Sequence, residues 1–148
     1  MYNKIIGIIG GGPNSVYATD ILLKNILRKK YKKKIKIIFF DKNGLFGYGN
    51  THNINLPKQI LLNRIAHQTS LGAYPFIKFP KKYSKYDYNF MEWLKKKKIN
   101  NIKKESWPPR AIFASALKDK FFELIKIISE QSNIDFELIY DEVINIKS

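Results

Sequence analysis

The chain has 148 residues, 45% hydrophobic and 14% aromatic, enough to bury the core of one domain; without cysteine it can form neither a disulfide framework nor a thiolate-held metal site, so redox chemistry would have to come from a bound cofactor. The formal net charge of +15 raises nucleic-acid binding, because clustered lysines attract a phosphate backbone. The clusters at 28–34, 95–98 and 103–104 are accompanied by no helix-turn-helix, zinc-finger or RNA-stacking motif, and they read as a solvated surface.

The apolar run at residues 5–9 is short, β-branched and closed by glycines, which predicts a strand buried on both faces. It is too short to cross a bilayer, and glycines follow where a signal peptide would stay hydrophobic, so a cytoplasmic chain is expected. Residues 14–30 place Ala18, Ile21, Leu22, Ile26 and Leu27 on one helical stripe, with Pro13 at the first turn. Residues 35–40 form a second buried strand ending at Asp41.

From 42 to 80, glycines and prolines break every regular period, predicting a long irregular excursion of the kind that usually serves a site. An amphipathic helix is expected at 88–98 and a longer one at 111–131, its stripe made by Phe113, Leu117, Phe121, Leu124 and Ile128. A third strand is expected at 134–140 and a fourth at 143–146. No repeat or composition break divides the chain, so residues 1–148 are read as one domain.

Gly10-Gly11-Gly12-Pro13-Asn14-Ser15 follows a predicted strand and opens a predicted helix, the context that a Gly-x-Gly-x-x-Gly dinucleotide fingerprint requires. Gly10 permits the tight turn, Gly12 removes a side chain that would block a pyrophosphate, and the helix N-terminus offers unpaired N–H groups. Ser15 replaces the third glycine, which implies slightly wider packing of helix on strand. Asp41, at the end of the second strand, can accept hydrogen bonds from the ribose hydroxyls of an adenosine and would repel a 2′-phosphate. It lies further on than the usual ~20 residues because the helix is extended by a lysine-rich turn.

Further along, the stretch from Asp41 through Lys42, Gly44, Gly47 and Gly49, the triplet Leu61-Leu62-Asn63, and Pro109-Arg110 opening a helix together resemble the bacterial FAD-NAD(P)-binding family of flavin oxidoreductases, itself similar to the flavin monooxygenases. The resemblance implies a Rossmann-like α/β domain binding FAD, with a parallel sheet and NAD(P)H as electron donor. It places Gly10, Gly12, Pro13, Asn14 and Ser15 against the pyrophosphate, Asp41 on the ribose and Lys42 beside the adenosine. Gly47, Gly49 and Asn63 would approach the flavin, and Val143, opening the fourth strand, would reach the adenine. It covers only the N-terminal part of a typical member, so the domain is expected to be incomplete, and whether a separate chain completes it stays open. ADP is accordingly expected to bind nearly as tightly as FAD.

Departures from the family pattern include Asn14 where an arginine is common. Arg110 adds positive charge to a helix start already suited to an anion. His52 and His67 lack a partner at metal or catalytic spacing, and Trp93 and Trp107 read as core or hinge packing. No Ser-His-Asp or paired-carboxylate arrangement supports a hydrolase. Two other classes stay open on the residues alone: a non-catalytic nucleotide-holding module or truncated remnant, and a basic nucleic-acid-binding protein.

Overall fold

The structure, a computed structural model, describes residues 1–147. Strand β1 (Lys4–Ile9) leads through the glycine turn into helix α1 (Pro13–Arg28), and strand β2 (Ile35–Phe40) follows. A long excursion carries short helical turns at Ala66–Gln68 and Lys81–Tyr86 before α2 (Phe90–Lys96), α3 (Arg110–Ser129) and β3 (Ile134–Ile139). The three strands form one parallel sheet in the order β1-β2-β3, so the chain has the α/β architecture of a partial Rossmann-like domain.

Register explains the layering. Ile35, Ile37 and Phe39 of the central strand point to one face, where they are buried beneath α1 and α3. Helix α3 buries Phe113, Leu117, Phe121, Leu124 and Ile128, the stripe expected from its 3.6-residue period. Helix α1 stops two residues short of the expected limit: Lys30 turns to φ 49°, and the Tyr31 N–H reaches back to the Ile26 carbonyl, closing the helix end. Helix α2 starts where Asn89 and Glu92 cap one another, the Asn89 side chain accepting from the Glu92 N–H and the Glu92 carboxylate from the Asn89 N–H.

Two expectations are corrected. Strand β1 is an edge strand and is not buried on both faces: Ile5 and Ile9 are 61% and 56% exposed, because their register with Lys36 and Phe40 turns them to the sheet face opposite Ile35, Ile37 and Phe39, where the central strand is itself only half-buried. Residues 141–147 form no strand, and Ile144 and Ile146 are exposed. Apolar alternation there finds no neighbouring backbone to bond with, and a strand without a ladder is not stable on propensity alone.

The excursion is tied back to the helices. Leu62 N–H donates to the Pro108 carbonyl and Ala66 N–H to Ser106, while Phe46, Tyr48, Leu71, Phe79, Tyr83, Tyr86 and Tyr88 enter the common core. Beneath it Asp20 and Lys24 of α1, Lys120 of α3 and Asp87 form a buried ionic network. No helix among the described residues is long and apolar enough to cross a membrane, and no group of side chains there could hold a metal ion.

Candidate functional site

The site begins where β1 ends. Gly10 takes φ +93°, a conformation that L side chains avoid, and its N–H donates to the Phe40 carbonyl at 2.8 Å. Gly11 is clamped from the other side. Its N–H donates to Asp41 Oδ2 at 2.7 Å, and a Cβ there would lie 2.9 Å from both Asp41 Oδ2 and the Leu45 carbonyl oxygen. At Gly10 and Gly12, by contrast, a Cβ would meet nothing within 4 Å. Gly11 therefore makes room for the protein itself, while Gly10 and Gly12 leave open space in front of the helix.

That space faces unpaired donors. Gly12 caps α1, Pro13 has no N–H, and the Ser15 N–H is already given to the Gly12 carbonyl at 3.0 Å. The Gly12 and Asn14 N–H groups have no partner among the described residues, and both lie at the positive end of the helix dipole. Ser15 is 4% exposed and its Oγ donates back to the Gly12 carbonyl at 2.6 Å, so its hydroxyl is spent inside the turn and only its edge borders the groove.

Asp41 is a brace as well as a candidate ligand residue. Oδ1 accepts from the Asn43 and Leu45 N–H groups and Oδ2 from Gly11, which fixes the glycine turn to the loop after β2. A carboxylate has about four acceptor positions, so one remains at Oδ2 for a hydroxyl. Asp41→Ala should therefore weaken adenosine-nucleotide binding and also lower stability, by about 1.5–3 kcal/mol as expected for hydrogen bonds to a charged acceptor. Titration calorimetry with ADP and a thermal melt check the two effects. Intact binding with reduced stability would leave Asp41 as a brace alone.

The remaining expected positions divide. Gly49 borders the turn, since a Cβ on it would lie 3.0 Å from Gly12 Cα. Gly47 instead backs onto α3, where a Cβ would lie 2.9 Å from the Phe121 Cβ. Lys42 is exposed and pairs with Glu142 at 2.8 Å, which draws the segment holding Val143 toward the Asp41 end of the sheet. Val143 is half-buried in an irregular segment and opens no strand. Arg110 begins α3, its N–H donating to the Ile60 carbonyl and its Nε to that of Leu61.

Two hollows meet at the turn. An open groove of about 450 Å³ runs along Gly10, Gly12, Pro13, Asn14 and Ser15 to Thr51 and His52. A pocket of about 240 Å³ shares Pro13 and His52 with it and continues between Tyr17, Leu62, Asn63, Arg64 and Phe113. Asn63 thus lies in the second hollow, and His52 at the junction. A wider hollow of about 530 Å³ lies at the opposite end of α1 and brings together none of the expected site residues.

His52 is the residue that sequence reasoning missed. Its ring stands edge-on to Phe113 at 5.5 Å, its Nδ1 is buried without a hydrogen-bond partner, and burial, aided by the Arg110 charge, pushes its pKa below the ordinary histidine value. Nothing adjacent in sequence signals this, because Phe113 and Pro13 reach it only through the fold. His67 sits at the surface against the Lys104 carbonyl, away from both hollows. Trp93 is core, with Nε1 donating to Asp119, whereas Trp107 is 56% exposed and does not pack as expected, its neighbours Pro108 and Pro109 having taken the contacts with the Leu61 strand-like segment.

A family model described as FAD-NAD(P)-binding matches residues 7–148. No curated protein matches the sequence.

Proposed function

The chain belongs to the FAD-NAD(P)-binding family, and from that premise we propose that it binds FAD as the cofactor domain of an oxidoreductase acting in the cytoplasm. The observation that carries this reading is the open space at Gly10 and Gly12, set against the unpaired N–H groups of Gly12 and Asn14. A pyrophosphate fits that combination of a side-chain-free approach and a helix N-terminus.

In this reading the Gly12 and Asn14 N–H groups donate to phosphate oxygens. Asp41 accepts from the adenosine ribose, Lys42 and the segment at Val143 flank the adenine, and Arg110, whose charge acts on the His52 ring, adds positive potential. Gly49 keeps the loop close to the turn, and Asn63 faces the second half of the ligand. Bound FAD would supply the redox chemistry, taking a hydride from NAD(P)H. The protein's own part is to orient the ligand and to set the charges around it.

A second reading, a module that holds a nucleotide without turnover, is favoured by the sparsely covered sheet face that leaves Ile9 exposed beside the groove. Calorimetric titration with FAD, NAD and NADP tests the cofactor, and NAD(P)H consumption in the presence of FAD tests the chemistry. FAD should bind, and NADP should bind more weakly than NAD because of Asp41; consumption above that with free flavin would show turnover by this chain alone, against the expectation that an incomplete domain adds none. Binding without turnover would favour the holding module, and no FAD binding would contradict both readings.

A further inference from the structure

Pro13 and His52 are the two residues that line both hollows, and of the two only His52 carries hydrogen-bonding atoms on its side chain. Its ring is held in place. Phe113 stands edge-on to it, and Phe113 is itself fixed in the core by an edge-on contact with Phe90 at 5.6 Å. A ring so confined holds each of its nitrogens in a fixed direction.

Those polar atoms are poorly used by the protein. Nδ1 is buried with no partner among the described residues, a cost that an apolar residue of the same size would avoid. The proton is better placed on Nε2, because an orphaned buried N–H is rarer and costlier than an under-used lone pair. Burial and the neighbouring Arg110 keep the ring uncharged near neutral pH, so it offers one N–H donor. Nearby, the Tyr17 hydroxyl is given to the Ser70 carbonyl, and Arg110 Nε to that of Leu61.

We propose that His52 is a ligand-binding residue: its Nε2 donates a hydrogen bond to an oxygen of the dinucleotide where the ligand passes from the glycine turn into the pocket of Tyr17, Asn63 and Arg64. This rests on the dinucleotide reading of the groove and adds to it a residue that holds the non-adenosine half. It also separates FAD from ADP, whose chain of atoms ends at its second phosphate and so fills the turn without entering the pocket. Near-equal affinity for the two, the expectation from sequence, gives way to a preference for FAD.

The test measures dissociation constants for FAD and ADP by calorimetry on the wild-type chain and on His52→Ala and His52→Gln, with a thermal melt to follow folding. Wild type should bind FAD more tightly than ADP. His52→Ala should weaken FAD by about tenfold, the loss of one hydrogen bond, and leave ADP within about twofold. His52→Gln, whose amide can place a donor near the Nε2 position, should recover most of the lost FAD affinity. Equal losses for both ligands, an unchanged affinity for FAD, a glutamine variant no better than alanine, or equal affinity of wild type for the two ligands would each overturn the proposal. If wild type bound neither ligand, the dinucleotide reading would fall, and the role of His52 with it.

Discussion

Gly12→Val is expected to abolish dinucleotide binding, raising the dissociation constant by at least about a hundredfold, while thermal stability stays close to that of wild type. Gly12 has φ −74° and ψ −173°, extended backbone that valine adopts freely, and a Cβ there touches no protein atom within 4 Å. The two methyl groups would instead fill the space in front of the Gly12 and Asn14 N–H groups. Stability should fall by about 0.5–1 kcal/mol, because glycine is a better helix N-cap than valine, far less than a loss of binding of this size would need if it came from unfolding. Gly11→Ala is the matched control. Its Cβ would press on Asp41 Oδ2 and the Leu45 carbonyl, so that variant should lose stability first and binding as a consequence. Calorimetry and circular dichroism on the two variants separate the effects, and wild-type affinity in Gly12→Val would reduce the turn to a structural element.

The largest expected effect on stability lies beneath the excursion. Asp20 and Lys24 are fully buried, Lys120 is 1% exposed, and Asp87 joins them, so two carboxylates balance two ammonium groups. Asp20 Oδ2 accepts from Lys24 at 2.8 Å and from the Ala73 N–H at 2.8 Å, while Lys120 Nζ donates to the Tyr86 carbonyl. Burial already holds the Lys120 pKa below the ordinary lysine value, with Asp20 pulling it back up. Asp20→Asn would leave one uncompensated positive charge in the core and should cost about 3–5 kcal/mol, a large share of the stability of a typical domain. Adding Lys120→Met restores neutrality, so the double variant should be more stable than Asp20→Asn alone. Urea unfolding of the three proteins gives the comparison; a double variant no more stable than the single one would mean that charge balance is not what the network supplies.

How much of this was legible in the sequence depends on whether the cause was local. Strand β2 and the glycine turn could be read because a β-branched run and a Gly-x-Gly carry their own reasons for strand and turn. The stripe of α3 could be read because its period is set by the helix itself. The exposure of β1 could not, since whether Ile5 and Ile9 are covered depends on which face of the sheet the distant helices pack against. The same holds for residues 143–146, whose apolar alternation says nothing about whether a partner strand exists. Asp20 and Lys24 stand at a spacing that reads as a surface ion pair. Only the arrival of Asp87 and Lys120 from distant elements shows the pair to be buried.

At the site the division is the same. Asp41 was legible as a carboxylate at the end of β2, but its grip on the Gly11 N–H, which gives the middle glycine its purpose, comes from the closeness of two loops. His52 could be ranked only as an unpartnered histidine, because the aromatic wall and the two hollows that give it meaning are assembled by the excursion folding onto α1 and α3.

The most direct measurement of dinucleotide binding at the glycine turn is a titration of the isotopically labelled chain with FAD, followed through its backbone amide resonances. Saturable shifts are expected, largest at Gly12 and Asn14, whose N–H groups have no partner among the described residues, and smaller at Gly11, whose N–H is held by Asp41. Shifts confined to the lysine clusters at 28–34 and 95–98, or no shift at the turn at saturating FAD, would contradict binding there.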